Sequence, residues 1–246
     1  MSRFTPEQLQ RLRHRHQGYL ITLGVEVLLL LLLPLAQRWG WLLSLMLVSL
    51  ALVLMVCISR YSALRRGLPF VYLLGCLAIV LEVAWHVLAQ LNVPLARPIT
   101  VPHVIVWLLF LTLVLFRKVK SLVREPYVTV PVVMGAAGGY LMVGIAGGLL
   151  LTALWVFHPA AFSAAGLPSP NPGTDVSDGL LSLGHLSVAP ALMAGAINLL
   201  TTVGSPVLNP RDVAAQVSIS VITVTGQLYV AILIALILGR FHQRRS

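Results

Sequence analysis

The residues of this chain whose types and spacing could do chemistry form one short stretch near the C-terminal end. Directly before them runs a short apolar segment, 190–201. If that segment is a helix that enters the membrane without crossing it, the negative end of its dipole favours a cation. The extended backbone that follows can offer carbonyl oxygens in place of the cation's hydration shell. The candidate ion-filter residues are Thr201, Thr202, Val203, Gly204, Ser205 and Pro206.

The composition shows what must hold this stretch in place. Hydrophobic residues make up 58% of the chain, charged residues only 10%, and the mean hydropathy is +0.93. A soluble domain of this length is far more polar. Runs of about 20 apolar residues can cross a bilayer, and we find them at 18–36, 41–59, 68–91, 99–116, 128–157 and 213–239. The sequence predicts an all-α membrane protein with six transmembrane helices and a re-entrant pore helix and loop between the last two.

The basic residues predict the orientation of these helices. With the N-terminus inside, 14 of the 17 Lys and Arg residues fall on one side of the membrane. Because Lys and Arg gather in cytoplasmic loops, we expect both termini to be cytoplasmic. Only Arg38, Arg97 and Arg211 fall on the other side. The basic residues are scattered over short segments with no soluble domain to present them, so no nucleic-acid partner is expected.

The predicted spans and basic segments divide the chain into five parts. A basic cytoplasmic N-terminus (1–17) precedes a four-helix membrane module (18–116), and a basic cytoplasmic linker (117–127) follows it. A pore module (128–240) contains an outer helix, the pore helix, the filter and an inner helix, and a cytoplasmic tail (241–246) ends the chain. The sequence offers no nucleophile, metal-ligand or phosphate-loop pattern. We therefore expect neither an enzyme nor a cofactor.

Two motifs carry a resemblance to a known family. Thr201 to Gly204 match the first half of a Thr-Thr-Val-Gly-Tyr-Gly-Asp filter, and the stretch 225–231, Thr-Gly-Gln-Leu-Tyr-Val-Ala, resembles a Gly-Gln-Leu-Tyr-x-Ala stretch on an inner helix. Over roughly 128–240 the chain resembles the bacterial potassium-channel family. The resemblance implies a channel in the bacterial inner membrane that passes potassium or sodium. Since each chain has one pore loop, a ring of carbonyls needs about four copies, which predicts a homotetramer within the lipid bilayer.

The filter departs from the family pattern in its second half. Ser205, Pro206 and Val207 stand where the family has Tyr, Gly and Asp. Proline fixes its own φ near −65° and restricts the residue before it to extended conformations. We expect the outer carbonyl rings to be misplaced while those of Thr201, Thr202 and Val203 persist. Cation conduction with weakened or lost potassium selectivity is the expectation, and a non-conducting protein of the same fold is the alternative.

Three of the ionisable residues within the predicted spans are candidates for a functional role. Glu82 and His86 are four residues apart on one helix, so they could pair, and Glu26 is a candidate third partner. Ionisable groups at membrane depth either serve a function such as proton relay or satisfy one another in packing. The rival class of function is a proton-coupled secondary transporter that binds its substrate at Glu82 and His86.

Glycines mark positions where helices can approach closely or bend. In the fifth span, Gly135 and Gly139, and then Gly144 and Gly148, have the small-xxx-small spacing of closely packed membrane helices. Gly226 in the last span could be a gating hinge, because glycine lowers the cost of a bend, or a packing contact.

Overall fold

The computed structural model describes residues 6–61, 68–91, 96–123, 129–158, 161–163, 184–204 and 208–243. Within these ranges there are seven helices and one short two-stranded ribbon. The elements in chain order are α1 (Pro6–Ala36), α2 (Gly40–Tyr61), α3 (Leu68–Gln90), α4 (Ala96–Val123), α5 (Val130–Phe157), β1 (Phe162–Ser163), α6 (Gly184–Leu200), β2 (Asn209–Pro210) and α7 (Val213–Gln243).

Six of the helices in the described part of the chain are long and apolar enough to cross a membrane. The candidate spans are His16–Ala36, Gly40–Ser59, Pro69–Leu88, Ile99–Val123, Val130–Phe157 and Val213–Leu236. Each overlaps one of the six stretches predicted from hydropathy, so that prediction is confirmed. The chain is an all-α integral membrane protein.

The first four helices and α5 share one apolar core. α1 packs on α2, α2 on α3 and α3 on α4, while α5 lies against both α1 and α4. Trp107 and Phe110 of α4 are fully buried and meet edge to face, with ring centroids 6.0 Å apart. Met142 and Ile145 of α5 and Met193 of α6 belong to the same core cluster. The four-helix module and the C-terminal helices are therefore packed together rather than linked only by the chain.

Glycines on α5 let its neighbours approach closely. A methyl group added at Gly148 would lie 2.5 Å from Cγ and 2.7 Å from Cα of Met193, and one at Gly144 would overlap Ile197; both neighbours are on α6. Added methyl groups at Gly135 and Gly139 would overlap Tyr19 of α1 and Tyr229 of α7. The predicted close-approach role is confirmed, and the partner helices are α1, α6 and α7.

α7 packs on the rest of the chain through one narrow face. Between Val213 and Leu236 the buried residues are Ala215, Ile222 and Gly226, spaced seven and four apart on one side of the helix. Ile222 lies against Gly147 of α5, and Gly226 lies against Leu200 at the end of α6. Most of the α7 surface is left for lipid or for other copies of the chain.

A short ribbon brings together the chain after α5 and the chain before α7. Phe162 pairs with Pro210 and Ser163 with Asn209 in antiparallel register. The backbone N–H of Arg211 donates to the carbonyl of Ala161 at 2.8 Å. Asp212 then caps α7, since its Oδ1 accepts from the backbone N–H of Ala215 at 2.7 Å. The end of α5 and the start of α7 are thereby fixed beside each other.

Replacing Gly148 by alanine should destabilise the protein. The added methyl group would meet the backbone of Met193 as well as its side chain, and overpacking of this kind costs about 1–3 kcal/mol. Thermal unfolding in detergent, followed by tryptophan fluorescence, should show a lower midpoint. Gly24→Ala is the matched control, because nothing lies within 4 Å of a methyl group there. Equal midpoints for the two variants would contradict the close packing of α5 and α6.

Candidate functional site

The site is built on the short apolar helix α6, which runs antiparallel to α5. Its apolar part, Val188–Leu200, is too short to cross a bilayer. Met193 lies against Gly148, and Ile197 against Gly144. At the end of the helix the Tyr140 hydroxyl donates a hydrogen bond to the Leu200 carbonyl, with an oxygen–oxygen distance of 2.6 Å.

That hydrogen bond fixes where α6 ends relative to α5. Tyr140 lies 10 residues after Val130 and 17 residues before Phe157. At the rise of an α-helix these separations are about 15 Å and about 25 Å. The last turn of α6 therefore lies beside an interior turn of α5, far from either of its ends.

The backbone leaves helical geometry directly after α6. Thr202 has φ +61° and Gly204 has φ +76°. Glycine adopts such angles at little cost, whereas a β-branched residue does so at about 1–3 kcal/mol. The Thr202 hydroxyl donates to the Thr201 carbonyl at 2.6 Å within this turn. Strain held by surrounding structure is common at functional sites, and the turn occurs at the residues predicted to bind ions.

The described part of the predicted filter lies on the surface of the single chain. Thr201 and Thr202 are exposed, Val203 is 83% exposed, and Gly204 is partly exposed. One chain therefore presents this backbone without enclosing it. The two other predicted filter residues, Ser205 and Pro206, lie outside the described residues, as does Val207.

The exposed surface of α7 carries a polar row that the sequence analysis missed. Gln216, Ser220, Thr223 and Gln227 are spaced four, three and four residues apart, so they share one side of the helix. Ser220 and Thr223 donate to carbonyls of their own helix, at 2.9 Å and 3.0 Å. The amides of the exposed Gln216 and Gln227 therefore contribute most of the polarity. The signal for this row in the sequence is the spacing of its four polar residues.

Gly226 lies at the contact between α7 and the site. It is buried, and an added methyl group would lie 2.5 Å from Cδ2 of Leu200. The packing role named as an alternative is thus present in the structure. A hinge at Gly226 stays a prediction, since a glycine at a helix contact can also allow a bend.

Glu82 pairs with a residue that the sequence analysis did not single out. Its Oε2 lies 2.6 Å from Nε2 of His103 and accepts a hydrogen bond from Nε1 of Trp107 at 3.0 Å. Both partners belong to α4, and Glu82 is only 3% exposed. The predicted partner, His86, has its Nδ1 3.5 Å from Oγ of Ser44 on α2. The i,i+4 spacing rule considers only residues of α3, whereas the Glu82 carboxylate is hydrogen-bonded to residues of α4.

An aromatic layer completes this buried cluster. The ring of Trp85 stacks on His103 with centroids 5.7 Å apart and nearly parallel planes. Its Nε1 donates to Oγ1 of Thr100 at 2.9 Å. The cluster joins α3 to α4 through satisfied polar groups, which agrees with the packing alternative for Glu82.

Glu26 belongs to a second, separate pair, so its predicted association with Glu82 is wrong. Its Oε1 accepts from Nζ of Lys118 on α4 at 3.0 Å, and the Glu26 carboxylate is completely buried. Gly138 of α5 provides the space, because an added methyl group there would lie 2.5 Å from Oε2 of Glu26 and 2.7 Å from Nζ of Lys118. Among the described residues, Oε2 has no hydrogen-bond partner. The pair joins α1 to α4 directly beneath α5.

In the part of the chain that the structure describes, no three His, Cys, Asp or Glu side chains are close enough to hold a metal ion. No known protein family, curated protein or solved structure matches this chain in comparison.

Breaking the Glu26–Lys118 pair should be strongly destabilising. Lys118→Met leaves a buried carboxylate without its counter-ion, which typically costs about 3–5 kcal/mol. The thermal midpoint in detergent should fall sharply, and the double variant Glu26→Gln with Lys118→Met should recover most of the loss. Lys120→Met, at an exposed position on the same helix, is the control. A Lys118→Met midpoint equal to that of Lys120→Met would contradict the buried pair.

Proposed function

We propose that this protein is a channel in which several copies surround a pore and pass monovalent cations down their gradient. In this proposal α6 is the re-entrant pore helix and residues 201–206 line the narrowest part. One observation carries the proposal: α6 ends beside Tyr140, within the span of α5, and leaves the backbone of Thr201 to Gly204 exposed there.

The path of the chain around α6 supports a re-entrant loop. Met193 lies against Gly148 and Leu200 against Tyr140, so α6 runs from the C-terminal part of α5 towards its interior. By Asn209 the chain is again beside Ser163, just after the end of α5. A segment that enters and exits on the same side of the membrane has irregular backbone at membrane depth. Such backbone is tolerated where it is buried in protein or lines water.

The electrostatics of the α6 terminus favour a cation. The C-terminal end of a helix carries a partial negative charge, which acts strongly where water is scarce. The Tyr140 hydroxyl donates to the Leu200 carbonyl, and the Thr201 hydroxyl donates to the Asn198 carbonyl at 2.9 Å. These bonds hold the end of the helix in place. The Thr201 carbonyl also accepts from the Thr202 hydroxyl, so the carbonyls of Thr202 to Gly204 are the ones we propose to coordinate an ion that has lost part of its hydration shell.

The exposed surfaces support assembly into a homotetramer. In a single chain the Val203 side chain is 83% exposed. Gln216 and Gln227 are also exposed, and they lie within α7, a candidate membrane span. Exposed polar groups in hydrocarbon are costly, whereas around a central axis they can face water. About four copies are needed to surround an ion with carbonyls from one loop each. We further propose that both termini are cytoplasmic, since 14 of the 17 basic residues then fall on the cytoplasmic side. From the resemblance of residues 201–204 and 225–231 to bacterial channels, we propose a bacterial inner membrane as its location.

Selectivity for potassium should be weak in this pore. The strained Thr202 and the glycine conformation of Gly204 allow inner carbonyls to turn towards an axis. Ser205 and Pro206 stand where the family has the Tyr and Gly that supply the outer carbonyl rings. With fewer coordinating carbonyls, the pore discriminates less between potassium and sodium. The transporter alternative gains no support from Glu82, whose carboxylate is already bonded to His103 and Trp107.

Ion flux through purified protein in liposomes tests the proposal. Potassium and sodium should both cross faster than in protein-free liposomes. Tyr140→Phe removes the hydrogen bond to Leu200, worth about 1 kcal/mol, and should reduce flux up to about fivefold. Tyr72→Phe, at an exposed tyrosine on α3, should leave flux unchanged. Absence of flux from an intact tetramer would favour the non-conducting alternative.

Restoring the missing half of the filter should restore selectivity. The double substitution Ser205→Tyr with Pro206→Gly removes the proline constraint and supplies a second filter glycine. In planar bilayers with a potassium gradient, the reversal potential should shift towards the potassium equilibrium potential. Ser205→Ala, which keeps Pro206, is the control and should not shift it. An unchanged reversal potential in the double variant would argue against an intact inner half.

A further inference from the structure

The Gly-Gln-Leu-Tyr stretch of α7, residues 226–229, contacts two helices at once. Gly226 lies against Leu200, the last residue of α6. Tyr229 is three residues further along and therefore lies on the same side of the helix. Its hydroxyl donates to the carbonyl of Ala136 on α5 at 2.8 Å. The stretch joins α7 both to α5 and to the end of α6.

The side chain of Tyr229 fits a space that α5 provides. A methyl group added at Gly139 would lie 2.7 Å from Cζ of Tyr229, so the missing side chain makes room for the ring. A hydroxyl within a membrane span is costly unless it has a hydrogen-bond partner. The Ala136 carbonyl can accept this bond because a carbonyl oxygen has two lone pairs and the helix uses only one. Both the ring and the hydroxyl of Tyr229 are thus accommodated by α5.

The same turn of α5 holds the end of α6. Tyr140 follows Gly139 directly, and its hydroxyl donates to the Leu200 carbonyl at 2.6 Å. In an α-helix the backbone N–H of residue 140 donates to the carbonyl of residue 136, which is the carbonyl that Tyr229 also uses. The rings of Tyr140 and Tyr229 are in contact range, with centroids 6.4 Å apart. Tyr229 and Leu200 are therefore connected through one turn of α5.

The C-terminal half of α7 is held less firmly than the half before Gly226. Ala215 and Ile222 are buried in the first half, whereas no residue of the stretch 227–236 is buried. Tyr229 and Leu233 of this stretch are partly buried against the core. Among the described residues, the hydrogen bond from this stretch to another helix is that of Tyr229.

We infer that Tyr229 is a positioning residue that couples the C-terminal half of α7 to the loop after α6. With Tyr229 beside Gly139, the turn of α5 is held in the position from which Tyr140 bonds Leu200. If this half of α7 moves away from α5, Tyr229 leaves its place, the surroundings of Tyr140 change, and the Leu200 carbonyl is released. Only the effect of this coupling on ion flux rests on the proposed function.

The mobility of a spin label at Val203→Cys tests the coupling, since this residue is exposed in the loop after α6. The label is placed in a Cys57→Ser and Cys76→Ser background of the full chain in liposomes, diluted with unlabelled cysteine-free chain. Tyr229→Phe removes only the hydroxyl. The ratio of mobile to immobile label should rise about threefold, the typical worth of a hydrogen bond between membrane helices. Tyr72→Phe, at an exposed tyrosine on α3, should not change the ratio.

A second label position separates coupling from general loosening of the fold. Leu45→Cys places the label at an exposed site on α2, where Tyr229→Phe should change nothing. Gly139→Ala, which displaces the Tyr229 ring without altering Tyr229 itself, should mobilise the Val203 label at least as much. An unchanged Val203 label in both variants, or equal mobilisation at both label positions, would overturn the inference.

A double-mutant cycle tests whether Tyr229 acts through Tyr140. Tyr140→Phe should also mobilise the Val203 label. Because both substitutions weaken the same hold on Leu200, their combined effect should be smaller than the product of the separate effects. Effects that simply multiply would overturn the coupling. The label reports without any ion flux, so a coupled loop in a protein that passes no ions would support this inference and contradict only the proposed channel.

Discussion

The close contact between α5 and α6 is the constraint on which the rest of the site depends. Gly144 and Gly148 remove the side chains that would hold the two helices apart, and Tyr140 bonds the last carbonyl of α6. Together they set the depth at which α6 ends and therefore the depth of Thr201 and the residues after it. If α6 packed less closely, the same backbone would lie elsewhere and could not act as proposed.

The four N-terminal helices support this arrangement through buried polar contacts as well as apolar packing. The Glu26–Lys118 pair joins α1 to α4 under α5, and the Glu82–His103 pair joins α3 to α4. Buried pairs of this kind add little net stability, but they specify which helices are neighbours because each partner is costly alone. The result is a fixed surface against which α5 packs, while α7 keeps most of its own surface exposed. The proposed assembly would cover that surface.

Much of the fold was predictable from the sequence because bilayer thickness fixes helix length and hydropathy reports it directly. The close-approach role of Gly144 and Gly148 was predictable from spacing, and their contacts with α6 confirm it. The partners of Glu82 and Glu26 were not. His103 and Lys118 lie on other helices, and which helices become neighbours depends on the packing of whole surfaces. Local spacing rules address only residues of the same helix.

Distances between copies test the central claim most directly. A spin label at Arg211→Cys, in a Cys57→Ser and Cys76→Ser background, would report the arrangement of loops, because this exposed residue follows β2 just before α7. Double electron–electron resonance in proteoliposomes should give two distances with a ratio of about 1.4, the side and diagonal of a square of four copies. A single distance, or no dipolar coupling, would show a dimer or a monomer and would contradict a pore formed by four loops.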